Sequence, residues 1–221
     1  VHEFKLNKKQ DRDSAIILDS ILPKSISVKK ISDKVKGKTV FVIGAGPSLS
    51  VAIPILKNFK KTVKIVADIA VKPLIENGIM PDIVVTDLDG DEDSLIKVGD
   101  TNSFFVVHAH GDNIAKLWLV ENFKNCIGTT QTKPFKNIQN FGGFTDGDRA
   151  VFLASHFDAR KIILFGMDFG KRIGKYSQTK NTDRKIKLKK LRKGKFLLEW
   201  LSGKTRSQLF TTSSPIKGFE K

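Results

Sequence analysis

Three carboxylates at alternate positions, Asp87, Asp89 and Asp91, are the residues of this sequence most plainly suited to chemistry. Held this close, they repel one another by up to a few kcal/mol per pair at an effective dielectric of about 20. A cation relieves that repulsion. An oxygen-only donor set suits Mg²⁺, which commonly joins one or two carboxylates to the phosphates of a substrate. An EF-hand is excluded, because Gly90 falls between the second and third acids and no coordinating Glu closes the loop. Solvated turn acids are the bland alternative.

Four further groups carry candidate chemistry. Gly44-Ala45-Gly46-Pro47-Ser48 follows an apolar run and opens a helical pattern. Glycines let backbone approach phosphate oxygens, a helix N-terminus offers free N–H donors, and proline suits a first helical turn. The segment is neither the dinucleotide fingerprint, since Leu49 replaces the third glycine, nor a Walker A loop. In His108-Ala109-His110-Gly111-Asp112-Asn113, two histidines at i, i+2 point to one side of a strand end, and Asp112 is placed to cap the next helix. Phosphate or acceptor binding, or general-base assistance, fits this group better than zinc, which wants a further N or S ligand. Thr130 and Gln131 end another apolar run. Finally, Gly142–Arg149 precedes an apolar helix: Thr145 is its expected cap, Asp146 and Asp148 favour its positive end, and Arg149 adds a cation. Capping explains one acid; two acids with Arg149 suggest a second metal or acceptor contact.

These groups need a scaffold that brings them together. Apolar runs at 39–43, 63–67, 83–86, 104–108, 126–130 and 161–165 read as strands, with helical stretches at 48–59, 69–76, 113–123 and 146–156 between several of them. Nearly unbroken Val, Ile and Phe is expected of parallel strands buried on both faces. The expected fold is α/β: a Rossmann-like, doubly wound, mostly parallel sheet with helices on both faces. In such a sheet the carboxyl ends of all strands share one rim, where ligands bind. Gly44–Ser48, Asp68, Asp87, His108 with His110, Thr129–Gln131 and Asp168 each follow a strand, so six strands deliver polar residues to a single edge. The chain divides into an N-terminal helical appendage (1–38) read as packing without chemistry, a nucleotide-binding catalytic domain (39–170) and a basic C-terminal extension (171–221) packing on or flapping over the site. Pro23 is expected to stop the first helix, and 207–219 to add an extended segment.

Of the formal net charge of +16, +12 lies in residues 171–206, where fourteen Lys/Arg face only Asp183 and Glu199. Such a segment attracts polyanions, ATP among them. No aromatic stacking series or helix-turn-helix accompanies the charge, which disfavours a nucleic-acid binder. No apolar run is long enough to span a membrane. The N-terminal stretch is polar, and the lone Cys126 is expected as a buried core thiol, so a reduced cytoplasm is the expected compartment. The sequence leaves a homo-oligomer open.

The stretch from Ala67-Asp68 through Leu74, continued by Gly78-Ile79-Met80-Pro81-Asp82 to Asp87-Leu88-Asp89-Gly90-Asp91, resembles the nucleotide segment of thiamine pyrophosphokinases, ADGG…L…GI.PD..VGDFDS. It departs from that pattern at Ile69-Ala70 and at Leu88-Asp89-Gly90. The fuller set over 40–170 (GAGPSL, VTDLDGD, HAHGDN, TTQ, GGFTDGDRA and GMDFG) resembles the archaeal 6-hydroxymethyl-7,8-dihydropterin diphosphokinase family. That resemblance implies Mg²⁺-dependent transfer of the β,γ-diphosphate of ATP to the pterin hydroxymethyl group, releasing AMP, in folate or methanopterin synthesis. On this reading Asp87, Asp89 and Asp91 hold Mg²⁺, with Asp148 an additional ligand. Gly44, Gly46, Pro47 and Ser48 contact phosphate or nucleotide, with Asp68, Thr130, Gln131 and Asp146 also on the nucleotide side. His108, His110 and Asp112 serve the acceptor or the triphosphate, and Arg149 or the basic extension balances charge on the diphosphate. The alternatives are a thiamine or other alcohol pyrophosphokinase, and a sugar-nucleotide-dependent transferase, since flagellin-modifying proteins share a related Gly-x-Gly-Pro-Ser-Leu segment.

Overall fold

Strands with no polar face must be covered on both sides, and the chain does this by stacking them edge to edge between two layers of helices. The computed structural model describes residues 7–22, 28–177 and 183–221. Its strands are β1 (Thr39–Ile43), β2 (Val63–Ala67), β3 (Ile83–Thr86), β4 (Phe104–Ala109), β5 (Cys126–Thr130), β6 (Ile138–Gln139), β7 (Lys161–Phe165) and β8 (Gln208–Thr211). They form one sheet in the order β6-β5-β4-β3-β2-β1-β7-β8, and every strand pairing is parallel. The chain winds outward from β1 towards β6, then returns to β7 and continues to β8. The winding reverses between β1 and β7, the doubly wound pattern expected from the sequence.

The helices are α1 (Lys8–Ile21), α2 (Val28–Val35), α3 (Leu49–Leu56), α4 (Val71–Ile75), α5 (Glu92–Gly99), α6 (Asp146–His156) and α7 (Arg184–Ser202), with 3₁₀ turns at Asp68–Ala70 and Gly111–Asn122. Alternate strand residues feed two cores. Phe41, Ile43, Val66, Val84, Phe105 and Val107 pack with α1, α3, α4 and α5 on one face. Val40, Val42, Ile65, Val85, Val106 and Leu164 pack with α2, α6 and α7 on the other. Cys126 is buried in the first core, and burial pushes its thiol well above its ordinary range. No helix among the described residues is long and apolar enough to cross a membrane.

The expected strands are all present. β4 runs one residue further than its apolar run, and β6 and β8 join the two edges. The helical stretch expected at 113–123 is instead a 3₁₀ segment from Gly111 capped by His110. The sequence reading missed α5 altogether: its cap is Asp91, whose side chain accepts the N–H of Ser94 at 3.1 Å. One carboxylate carries two possible meanings in sequence, metal ligand and helix cap, and the structure shows the second. Pro23, the expected helix stop, lies outside the described residues; α1 ends at Ile21.

Candidate active site

The loop after β3 is wound around the side chain of Asp68, which directly follows β2. Asp68 is buried, with 1% exposure. Its Oδ2 accepts the Thr86 hydroxyl at 2.5 Å and the Asp89 N–H at 3.1 Å. The Thr86 Oγ1 in turn accepts the Leu88 N–H at 2.7 Å. Leu88 takes the left-handed conformation, φ 67°, while its side chain is fully buried. A non-glycine residue there costs on the order of 1–3 kcal/mol, and the burial and hydrogen bonds around it hold the loop against that strain.

The fold then adds the N-terminus of α6. One carboxylate oxygen from each of Asp68, Asp87, Asp89 and Asp146 lies within 4.8 Å of the others. Burial, then the charge of Asp89, pushes the Asp68 carboxyl up to about 7. Burial and the charge of Asp87 push Asp89 up to about 6. Burial and repulsion from Asp87, Asp68 and Asp89 drive Asp146 well above the carboxylate range. Asp87 goes the other way: burial raises it, but the hydrogen bond and charge of His110, with Asp89 and Arg149, hold it below its ordinary value. Asp68 Oδ1 and Asp87 Oδ1 are buried and have no hydrogen-bond partner among the described residues. Mutual repulsion, unsatisfied anionic oxygens and a purely hard donor set together fit a bound Mg²⁺.

Cationic and polar groups surround the cluster. His110 Nε2 lies 3.4 Å from Asp87 Oδ2, and its Nδ1 accepts the Asp112 N–H at 3.3 Å. That arrangement makes Nε2 the protonated nitrogen facing Asp87. Arg149, on the first turn of α6, donates to the Phe144 carbonyl at 3.2 Å and sits among Asp148, Asp146 and Asp87. Asn113 ties the rim together: its Nδ2 donates to the carbonyls of Asp87 at 2.8 Å and His108 at 2.7 Å. His108 is buried and neutral, because burial, then the charges of Arg149 and His110, lowers its pKa; its Nε2 is a third buried atom without a partner among the described residues. Beside it a narrow cleft is lined by Val85, Val106, Thr129, Thr130, Phe141 and Arg149.

Several expected site residues are engaged elsewhere. Asp91 caps α5 and pairs with Lys72 at 2.8 Å. Asp148 is fully buried in the cap of α6, where it accepts the N–H groups of Phe144 and Thr145 and the Thr145 hydroxyl. Asp68 and Asp146, both expected on the nucleotide side, lie with Asp87 and Asp89 in the carboxylate cluster, whereas Asp91 and Asp148 do not. Asp112 is exposed; its N–H donates to His110 Nδ1, and its carboxylate lies 3.8 Å from the same nitrogen, away from the cluster. The Thr130 hydroxyl pairs with that of Thr132. Gln131 donates to Asp11 at 2.7 Å, and Asp11 also accepts the Gly111 N–H. Asp11 and Asn113 are rim residues that sequence reasoning missed. Asn113 stood next to a flagged motif, whereas Asp11 on α1 gave no local signal.

The Gly44–Ser48 turn faces the loop after β7. A Cβ at Gly44 or Gly46 would strike Gly166 and either Met167 or Asp168, so these glycines permit close loop contact. The Ser48 N–H and hydroxyl both donate to Asp168 Oδ2, at 2.9 and 2.7 Å. Asp168 therefore ties the turn that opens α3 to the loop after β7. Asp168→Ala is expected to destabilise the fold by about 1–2 kcal/mol, read as a lower urea midpoint with an unchanged m-value.

The family described as "6-hydroxymethylpterin diphosphokinase MptE-like" matches residues 18–174. A Methanocaldococcus jannaschii protein named 6-hydroxymethyl-7,8-dihydropterin pyrophosphokinase is 45% identical over 222 residues, covering 92% of this chain and 92% of its own. A Pyrococcus furiosus protein of the same name is 42% identical over 219 residues, covering 96% of this chain and 94% of its own. Among solved structures, the MAf glycosyltransferase of Magnetospirillum magneticum AMB-1 superposes with a TM-score of 0.64 at 17% identity. The match spans 98% of this chain but 38% of that one, and at this identity it shows a shared fold alone.

Proposed function

This chain belongs to the family of MptE-like 6-hydroxymethylpterin diphosphokinases, and on that premise we propose that it transfers the β,γ-diphosphate of ATP to the hydroxymethyl group of 6-hydroxymethyl-7,8-dihydropterin, with Mg²⁺ and release of AMP. The observation that carries the reading is the convergence of Asp68, Asp87, Asp89 and Asp146 at the carboxyl rim, with two buried oxygens left unpartnered. Those four residues would hold Mg²⁺, which when bound supplies charge neutralisation to the phosphates. Phosphoryl-type transfer needs little from the protein beyond alignment and compensation of charge.

The remaining roles belong to the protein's own side chains. Arg149 and His110 place positive or donor character next to Asp87, where charge on the transferred group would gather. The cleft near His108 is lined by apolar side chains, two threonine hydroxyls and the Phe141 ring, groups of the kind that bind a flat heterocycle, but as it stands it has room for no more than about one water. The cytoplasm is the compartment that fits a single buried thiol.

The deciding measurement is AMP formation from ATP and 6-hydroxymethyl-7,8-dihydropterin, with and without EDTA. AMP is expected only with both substrates and Mg²⁺. ADP as the product, or equal AMP release with thiamine in place of the pterin, would overturn the reading.

A further inference from the structure

We propose that Lys187 and Lys190 of α7 form a binding site for the β- and γ-phosphates of the nucleotide, closing over the acidic cluster from the side opposite the sheet. Three observations lead to this site. The first is contact: α7 meets the N-terminus of α6 at Gly194, where a Cβ would come 2.9 Å from Asp148 Oδ1. Only a residue without a side chain lets the two helices approach so closely at that point.

The second is spacing. Lys187, Lys190 and Gly194 fall at i, i+3 and i+7, one stripe of a helix. At about 1.5 Å rise per residue, Lys190 lies about 6 Å and Lys187 about 10 Å along the axis from the contact with α6. The same face continues the other way into Leu198 and Leu201, which are buried in the core, so its direction is fixed. The two lysines therefore overhang the rim at which α6 presents Asp146. Both ammonium groups come close enough for their charges to act on Asp89. Neither lysine forms an ion pair among the described residues, which leaves ammonium donors to spare.

The third is charge. A divalent ion offsets only part of four carboxylates, and a triphosphate adds further negative charge to the same volume. Arg149 is already enclosed by Asp148, Asp146 and Asp87. More cations are needed on the open side, and lysines on flexible stems serve as point-charge phosphate ligands. The opposite face of α7, with Lys189, Arg192 and Lys193 exposed around Phe196, turns away from the cluster and supplies a charge-matched control.

The inference rests on the nucleotide reading of the site, so its test uses binding as well as turnover. The full-length K187A/K190A and K189A/K193A variants are compared with wild type for ATP and AMP affinity by titration calorimetry, for the KM values of both substrates, and for the rise in Tm caused by Mg²⁺ alone. K187A/K190A is expected to weaken ATP binding and raise the KM for ATP by about tenfold or more, leaving AMP affinity and the pterin KM unchanged and the Mg²⁺-induced shift no smaller than in wild type. K189A/K193A is expected to change each by less than about twofold, since its charges are remote and screened. K187R/K190R should recover most of the ATP affinity. The proposal is overturned if both double variants lose ATP affinity equally, or if AMP and ATP suffer alike. Weakened ATP binding in K187A/K190A together with no AMP formation by wild type would retain this phosphate site while refuting the proposed reaction.

Discussion

Asp89→Asn is expected to cut Mg²⁺-dependent AMP release by at least about a thousandfold while making the metal-free protein more stable. Of the four carboxylates, Asp89 is the exposed one, and its backbone rather than its side chain holds Asp68. The substitution therefore removes a negative charge and leaves the loop's hydrogen bonds in place. In the native fold Asp89 is raised to about 6 by burial and by Asp87. A carboxyl raised above its unfolded value adds stability below that unfolded value, and the advantage is lost as pH rises through the folded one. At neutral pH the ionised side chain is thus a burden. Discounted for its exposure, relief of that burden amounts to about 1 kcal/mol, or a gain of about 2–4 °C in Tm. The gain should shrink towards zero below about pH 3, where wild-type Asp89 is largely protonated in both states. Added Mg²⁺ should reverse the ranking, because it stabilises only the form that binds it. An Asn variant that keeps wild-type turnover, or that loses stability without metal, would remove Asp89 from the cation site.

Much of this site was legible in the sequence because it hangs on strand ends. Apolar runs located the strands, and a parallel sheet sends every carboxyl end to one rim, so Asp68, Asp87, Asp89, His108 and His110 could be grouped without a structure. The assignment of roles within the group was less legible. Asp91 and Asp148 look like metal ligands by type and proximity, yet each sits at a helix start, where a carboxylate's first partner is the backbone N–H of its own turn. Asp146 is two residues from Asp148, but as the first residue of α6 its side chain is free to face the cluster instead of the cap. That difference of about half a helical turn is set by where the helix begins, which pattern reading fixes only to within a few residues. Asp11 and the overhang of Lys187 and Lys190 depend on contacts between distant segments, and no local pattern encodes them.

Gly90→Ala is expected to fail in the opposite sense from its neighbour's substitution, losing stability and activity together. Gly90 is not in the left-handed region, so alanine is acceptable to the backbone. The difficulty is steric: an added Cβ would occupy the position of the Asp68 carboxylate. That carboxylate cannot simply turn aside, because Thr86 and the Asp89 N–H hold it and 1% of the residue is exposed. Either Asp68 gives up those bonds or the loop lifts off β3, and in both cases the four oxygens no longer converge. Overpacking of this kind costs about 1–3 kcal/mol. A displacement near 1 Å at reacting groups costs on the order of a hundredfold in rate. Gly78→Ala supplies the contrast: φ is +73° with nothing within 4 Å, so it should cost about 1 kcal/mol through the backbone alone and leave turnover intact. The double variant Asp68→Ala/Gly90→Ala separates the two losses, since contacting residues do not add. With the colliding carboxylate gone, the Gly90→Ala penalty in Tm should largely disappear, while AMP release stays abolished because a cation ligand has been lost. If the double variant were instead less stable than either single one, the collision between Gly90 and Asp68 would not be what shapes this loop.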